Sequence, residues 1–178
     1  MRKLNLILLV LLLLSPIPLL AQKSYAIDKS SIIIGGSAGF SNTGGGGDDR
    51  FTQITARPDL SFFVVPNLAI GGNAMYSRFS ASGFSSTFLG IGPKVAYYFG
   101  DLKSKSYPFL SSSFFYGKHL DFSSHISLQF SGGIAFMVAK NVAITGQAFF
   151  LLINEIRDGP DESGNRFGIE IGISTFVF

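Results

Sequence analysis

From position 31 onward apolar residues recur at every second position, and the three-to-four spacing of an amphipathic helix is almost missing. The alternation predicts eight strands, with approximate extents Ser31–Ser41, Phe51–Val64, Leu68–Phe79, Thr87–Phe99, Tyr107–Tyr116, Ser124–Val138, Val142–Ile153 and Arg166–Phe178. Their connections alternate in kind. "VPN" around Pro66 and "AKN" around Lys140 read as tight turns and "GDLKSKS" as a modest one, whereas "NTGGGGDDR", "SASGFSS", "GKHLDFSS" and "NEIRDGPDESGN" read as longer glycine-rich or charged loops. Short turns at one end and longer loops at the other describe an up-and-down meander. An internal echo agrees with it: "NLAIGGNAMYS" from Asn67 resembles "NVAITGQAFFL" from Asn141, each led by an Asn that tolerates the left-handed backbone of a tight turn.

Each strand has two faces, and the polar one decides which solvent the apolar one meets. Thr55, Arg57, Asp59, Ser61 and Phe63 lie opposite Ile54, Ala56, Leu60, Phe62 and Val64, and Phe88, Gly90, Gly92, Lys94 and Ala96 lie opposite Leu89, Ile91, Val95 and Tyr97. A water-facing surface would be studded with Lys and Glu. Here the polar face is mostly Gly, Ser, Thr, Asn and Gln with isolated charges, which suits a narrow enclosed lumen. The apolar face carries Ile32, Ile34, Ile70, Leu128, Ile134, Phe136, Val142, Ile144, Ile169, Ile171 and Ile173 and no charge across a band about ten residues tall, as a lipid-facing strand requires. Aromatics mark the rims, with Phe40, Tyr76, Phe114, Tyr116 and Phe150 towards the loop end and Tyr97, Phe99, Tyr107 and Phe176 towards the turn end.

Composition sharpens this picture. Of the 178 residues 47% are hydrophobic and 14% charged, against roughly 25% charged in a typical soluble domain. The start, "MRKLNLILLVLLLLSPIPLLAQKSYAID", has a basic beginning, an apolar run from Leu4 to Leu14, and then Ser15, Pro16 and Pro18 before small residues. It reads as a secretory signal peptide over residues 1–26, with cleavage after Ala21 or Ala26 and the barrel domain over 27–178. The run is about half the roughly 20 residues of a spanning helix. There is no cysteine, so neither a disulfide framework nor a lipidated cysteine is available. With Arg2 and Lys3 in the leader, the 14 basic and 11 acidic side chains are nearly balanced, which argues against nucleic acid as a partner.

The lumen face puts Arg57 and Glu170 at roughly similar depths, with Asp59 and Lys94 a little lower, and a lone ion in a narrow interior is costly. We therefore expect these four to form an interior salt-bridge network, with Arg57 paired to Glu170.

Signal peptide, eight alternating segments, short turns, longer outer loops, polar lumen and terminal Phe together resemble the small eight-stranded outer-membrane barrels of the OmpA and OmpX type, here without a peptidoglycan-binding domain. The resemblance covers the whole mature chain and is one of pattern. It implies an all-β, eight-stranded antiparallel up-and-down transmembrane barrel in the outer membrane of a Gram-negative-type cell, in contact with lipid and lipopolysaccharide. It also implies handling by the barrel assembly machinery, which in that family reads a terminal aromatic preceded by alternating apolar residues; Phe176 and Phe178 match that pattern. Upstream the same parity would turn Glu170 to lipid, so a β-bulge near Ser174–Thr175 is expected to switch faces; unbroken alternation, with Val177 outward and the phenylalanines inward, is the alternative.

The chemistry-bearing residues point weakly. His119, Asp121, Ser123, Ser124 and His125 in "KHLDFSSHIS" are types a lipid A modifying enzyme could use, but their spacing is unspecific and reads as a polar loop. "GGSAGFSNTGGGGDD" has neither the Lys-Ser/Thr ending nor the following helix of a phosphate loop. Asp158, Asp161 and Glu162 lack regular calcium-ligand spacing. Arg78, outward near the loop end of its strand, is a candidate contact for lipopolysaccharide phosphate. The expected function is therefore non-enzymatic, without cofactor or metal: a structural role, or surface interaction through outer loops whose partner the residues do not name. A narrow porin-like conduit, a lipid A modifying enzyme and a soluble ligand-binding barrel are the rivals.

Overall fold

The computed structural model describes residues 26–44, 50–81, 84–119, 124–156 and 163–177. The expected signal peptide, the loop carboxylates Asp158, Asp161 and Glu162, and Asp121, Ser123 and Phe178 lie outside them. Eight strands follow in chain order: β1 (Ile32–Gly44), β2 (Arg50–Val65), β3 (Leu68–Ala81), β4 (Phe84–Tyr98), β5 (Ser106–His119), β6 (Ser124–Met137), β7 (Val142–Ile156) and β8 (Ser163–Val177). Each pairs antiparallel with its sequence neighbours, and β8 closes on β1 to complete the barrel.

The strands run beyond their expected ends on the loop side, because backbone pairing continues through glycine and polar residues where no apolar face is required. They are 13 to 16 residues long in β1 and β2, against the roughly 9–11 that cross a bilayer, so the hairpins stand clear of the apolar band. Alternation holds along the strands, apart from the turn end of β2. Ile34, Leu60, Ile91, Ile134, Ile169 and Ile171 are exposed, while Thr55, Arg57, Ser61, Asn73, Ser113, Gln129, Ser131 and Glu170 are buried in the lumen. An apolar exterior around a polar interior is the inverse of a soluble barrel, and lipid is the solvent that favours it.

The turns at the opposite end are short. Asn67 takes φ 72° after Pro66, and its side-chain amide donates to the carbonyls of Tyr98 (2.7 Å) and Gly100 (3.1 Å). The echo at Asn141 does not share that backbone: among the described non-glycine residues only Ser30 and Asn67 have positive φ, and the Asn141 carbonyl instead accepts from Phe176 N–H at 2.7 Å. A register shift occurs in β2 between Phe63 and Val65, where Val64 is the additional residue and Val65 is turned outward.

No such shift occurs in β8. Its pairing runs unbroken through Gly35–Ser174, Ile34–Thr175 and Ile33–Phe176, so the bulge expected near Ser174–Thr175 is absent and Phe176 points into the lumen, 1% exposed. The expectation assumed a lumen that is polar to its end. It is not: Ile27, Ile33, Phe63, Ala69, Tyr98, Tyr107 and Phe109 gather around Phe176 at the turn end, so inward burial suits it. Tyr107 is likewise corrected from a rim aromatic to a core residue, 1% exposed, its hydroxyl donating to the Leu102 carbonyl at 3.0 Å.

The segment before β1 completes this apolar closure. Ala26 and Ile27 tuck under the barrel, the Ile27 carbonyl accepts from Asn67 N–H at 3.0 Å, and Ser30 N–H donates to the Phe63 carbonyl at 2.9 Å.

One seam differs from the other seven. β1 and β8 pair from Ile32–Val177 only as far as Ala38–Ile171, although both strands continue towards the loop end, β1 against β2 and β8 against β7. Above Ala38 and Ile171 the wall is not closed by strand pairing between them.

Candidate functional site

The lumen is the place where chemistry could be arranged, and it is layered. Above the apolar closure lies a polar section with Arg57, Asp59, Asn73, Lys94, Ser113 and Gln147 on its walls and a free cavity of about 30 Å³. That is space for about one or two waters.

The four expected charges come together as two pairs and not as one network. Arg57 Nη1 meets Glu170 Oε1 at 2.5 Å, with the side chains 5% and 1% exposed, and Lys94 Nζ meets Asp59 Oδ2 at 3.2 Å, at 17% and 12%. Register explains the split. Arg57 sits across from Ser37 and Ser37 across from Gly172, so only small side chains on β1 separate Arg57 from β8; Asp59 and Lys94 approach each other across β3. The first pair is enclosed on all sides. Glu170 Oε2 accepts from Ser37 Oγ (2.9 Å) and Gln147 Nε2 (2.8 Å). Arg57 Nε donates to Met75 Sδ at 3.4 Å, and the guanidinium lies 4.5 Å from the centroid of the Phe149 ring. A β-carbon on Gly168 would fall 2.6 Å from Phe149, so that glycine leaves the ring its place under the arginine. Ser37, Gln147, Met75 and Phe149 were missed from sequence as partners of this pair, although inward parity marked each of them.

Further out the lumen widens into a cavity of about 460 Å³. Glu170 and Phe149 form its floor, Gln53, Thr55 and Phe79 line one side, and Phe40, Phe167 and Ile169 stand at the β1–β8 opening. Arg166 lines it too, half-buried, on the inward parity of Glu170. Sequence reasoning passed over Arg166 because it sits at the start of its strand, next to a charged loop.

Arg78 is exposed on the outward face, opposite Ile54 and Thr87. His125, within the expected strand Ser124–Val138, belongs to β6 and turns inward, 7% exposed, with its ring edge-on to Phe88 at 6.0 Å. Ser124 precedes it on the same strand and takes the other face. Of His119 only the backbone, the last residue of β5, is described.

Neither a family model nor a curated protein matches this sequence. Solved structures do match the fold. The Neisserial surface protein NspA aligns with a TM-score of 0.58 at 16% identity, over 82% of this chain and 96% of that one. The Escherichia coli outer membrane protein W gives 0.51 at 12% identity, over 86% and 99%. The N-terminal β-barrel domain of Pseudomonas aeruginosa OprF gives 0.50 at 9%, over 84% and 98%. In strand number, order and closure, and in its lipid-facing exterior, this chain has the fold of the small eight-stranded outer-membrane barrels.

Proposed function

We propose that the protein is a non-conducting, non-enzymatic barrel of the outer membrane, whose work is done at its outer half and loops. The observation that carries the reading is the double occlusion of the lumen. A buried ion pair crosses it at Arg57 and Glu170, and below that Ile27, Phe63, Tyr98, Tyr107 and Phe176 fill the turn end. Solute crossing such a barrel would have to break a desolvated pair and displace an apolar core, whereas porins keep an open aqueous path. The division of Ser124 and His125 between opposite faces favours a role without catalysis. The extension of the strands past the apolar band favours a role for the hairpin tips. The outward exposure of Arg78 near the loop end supports its contact with a phosphate of lipopolysaccharide, and its replacement by alanine is expected to weaken retention of that lipid.

Planar-bilayer recording of the purified protein tests the reading. A silent trace is expected, and large, stable single-channel steps would overturn it. Deletion of each hairpin tip in turn, scored for cell adhesion, serum survival and envelope permeability, then identifies which tip carries the surface role.

A further inference from the structure

Three observations converge on the outer cavity. The first is the unsealed seam: above Ala38–Ile171 the facing edges of β1 and β8 make no ladder with each other, while both flanks remain paired to β2 and β7. Strand edges left open to hydrocarbon are strongly disfavoured unless water or a ligand's polar atoms reach them. The second is the lips of that opening. Phe40, Phe167 and Ile169 line the cavity at this opening and are 67%, 71% and 71% exposed, as outward residues such as Ile91 and Ile171 are elsewhere on the barrel. The third is Arg166. Every other described charge inside the lumen has an opposite partner, Arg57 with Glu170 and Lys94 with Asp59, yet no carboxylate among the described residues pairs with Arg166. It lines the cavity half-buried, beside Phe79 and Phe149.

We propose that this cavity binds a single-chain anionic amphiphile, a free fatty acid, which enters from the lipid through the β1–β8 opening. Its carboxylate meets Arg166, and its chain lies along Phe79 and Phe149 and out past Phe40, Phe167 and Ile169. The volume of about 460 Å³ falls in the roughly 300–1,000 Å³ range of small-molecule sites and suits one chain better than two. The charge balance selects the sign of the head. Glu170, the acidic group on the cavity floor, is neutralised by Arg57, so among the described residues lining the cavity Arg166 is the charge left without an opposite one. A guanidinium half-buried beside aromatic rings attracts a carboxylate more strongly than one fully in water. The inference goes beyond the non-conducting reading and does not depend on it, since a barrel that conducted could still hold the ligand at this level.

The test uses the full-length mature protein in nanodiscs of zwitterionic lipid, with dodecanoate as the probe and calorimetry as the readout. Saturable binding of one dodecanoate per barrel is expected. Arg166→Met is expected to weaken it at least tenfold and Arg166→Lys to restore most of it, with heat-modifiable mobility showing that both variants fold. Dodecyltrimethylammonium is expected not to compete. Unchanged affinity in a folded Arg166→Met barrel, or equal competition by the cation, would overturn the site. Displacement of dodecanoate by an equal concentration of a lysophospholipid would assign the site to a headgroup lipid and overturn the free-acid reading. The chain has no cysteine, so Phe40→Cys with Ile169→Cys, which face each other if the β1–β8 register is continued, can be bridged by a short bifunctional thiol reagent. Bridging is expected to slow dodecanoate association at least tenfold, and an unaltered rate would refute entry through the seam.

Discussion

Breaking the Arg57–Glu170 pair should reveal how much the barrel depends on charges that pair only when it closes. The two side chains are 5% and 1% exposed and meet at 2.5 Å, so neither has water to fall back on. In Arg57→Met the carboxylate keeps its bonds from Ser37 and Gln147 but loses its counter-charge. Removal of one partner of a buried pair costs about 3–5 kcal/mol, and the two surviving bonds put this variant near 3 kcal/mol. In Glu170→Gln the guanidinium keeps only the Phe149 face and Met75 sulfur. A cation–π contact offsets about 1–2 kcal/mol at most, so a loss of about 3–4 kcal/mol is expected. The double variant leaves no orphaned charge, and its loss should fall short of the sum by about 2–3 kcal/mol. The assay is urea-dependent folding into phospholipid vesicles, read by heat-modifiable gel mobility and circular dichroism, since the chain has no Trp to report by fluorescence. The cycle on Asp59 and Lys94, at 12% and 17% exposure, should give a smaller coupling of about 1 kcal/mol. Losses at Arg57 and Glu170 that add within about 0.5 kcal/mol would refute the reasoning and leave two independently solvated charges.

Five other outcomes are expected. Phe176→Ala should lower folding stability by about 3–5 kcal/mol in the same urea titration, as for other buried aromatics; deletion of Phe178 should act on assembly in cells, leaving periplasmic, protease-sensitive chain. Asn67→Ala should destabilise by about 1–3 kcal/mol through a strained φ and two lost side-chain bonds, and Asn67→Gly by less because it keeps the backbone freedom; equal losses would remove the conformational part of the argument. Gly168→Val should push Phe149 from beneath Arg57 and cost about 1–3 kcal/mol in vesicle refolding, whereas unchanged stability would show that the ring has room to move. Intact mass of the mature protein should correspond to cleavage after Ala21. Ala26 and Ile27 are both buried in the turn-end core, where a new ammonium left by cleavage after Ala26 would be poorly solvated.

Sequence alone determined the barrel, because alternation by two is a local property: the residue that faces lipid and the residue that faces the lumen are chain neighbours, and a two-sided solvent writes itself into every strand. Eight segments, their order, the polar interior and the inward placement of Arg57, Asp59, Lys94 and Glu170 were all legible on that basis. What stayed hidden depends on which strands meet at which height. That Arg57 reaches Glu170 across Ser37 and Gly172, while Asp59 takes Lys94, is a matter of register between strands far apart in the chain. The direction of Phe176 was misjudged for the same reason. Parity by itself pointed it inward, but only the gathering of Ile27, Ile33, Phe63 and Tyr107 from four separate segments makes that end of the lumen apolar enough to keep it there. The early end of the β1–β8 ladder could not be read from either strand, since each continues as a strand against its other neighbour; closure of a ring happens between its first and last members, and their contact is set by the accumulated stagger of all eight.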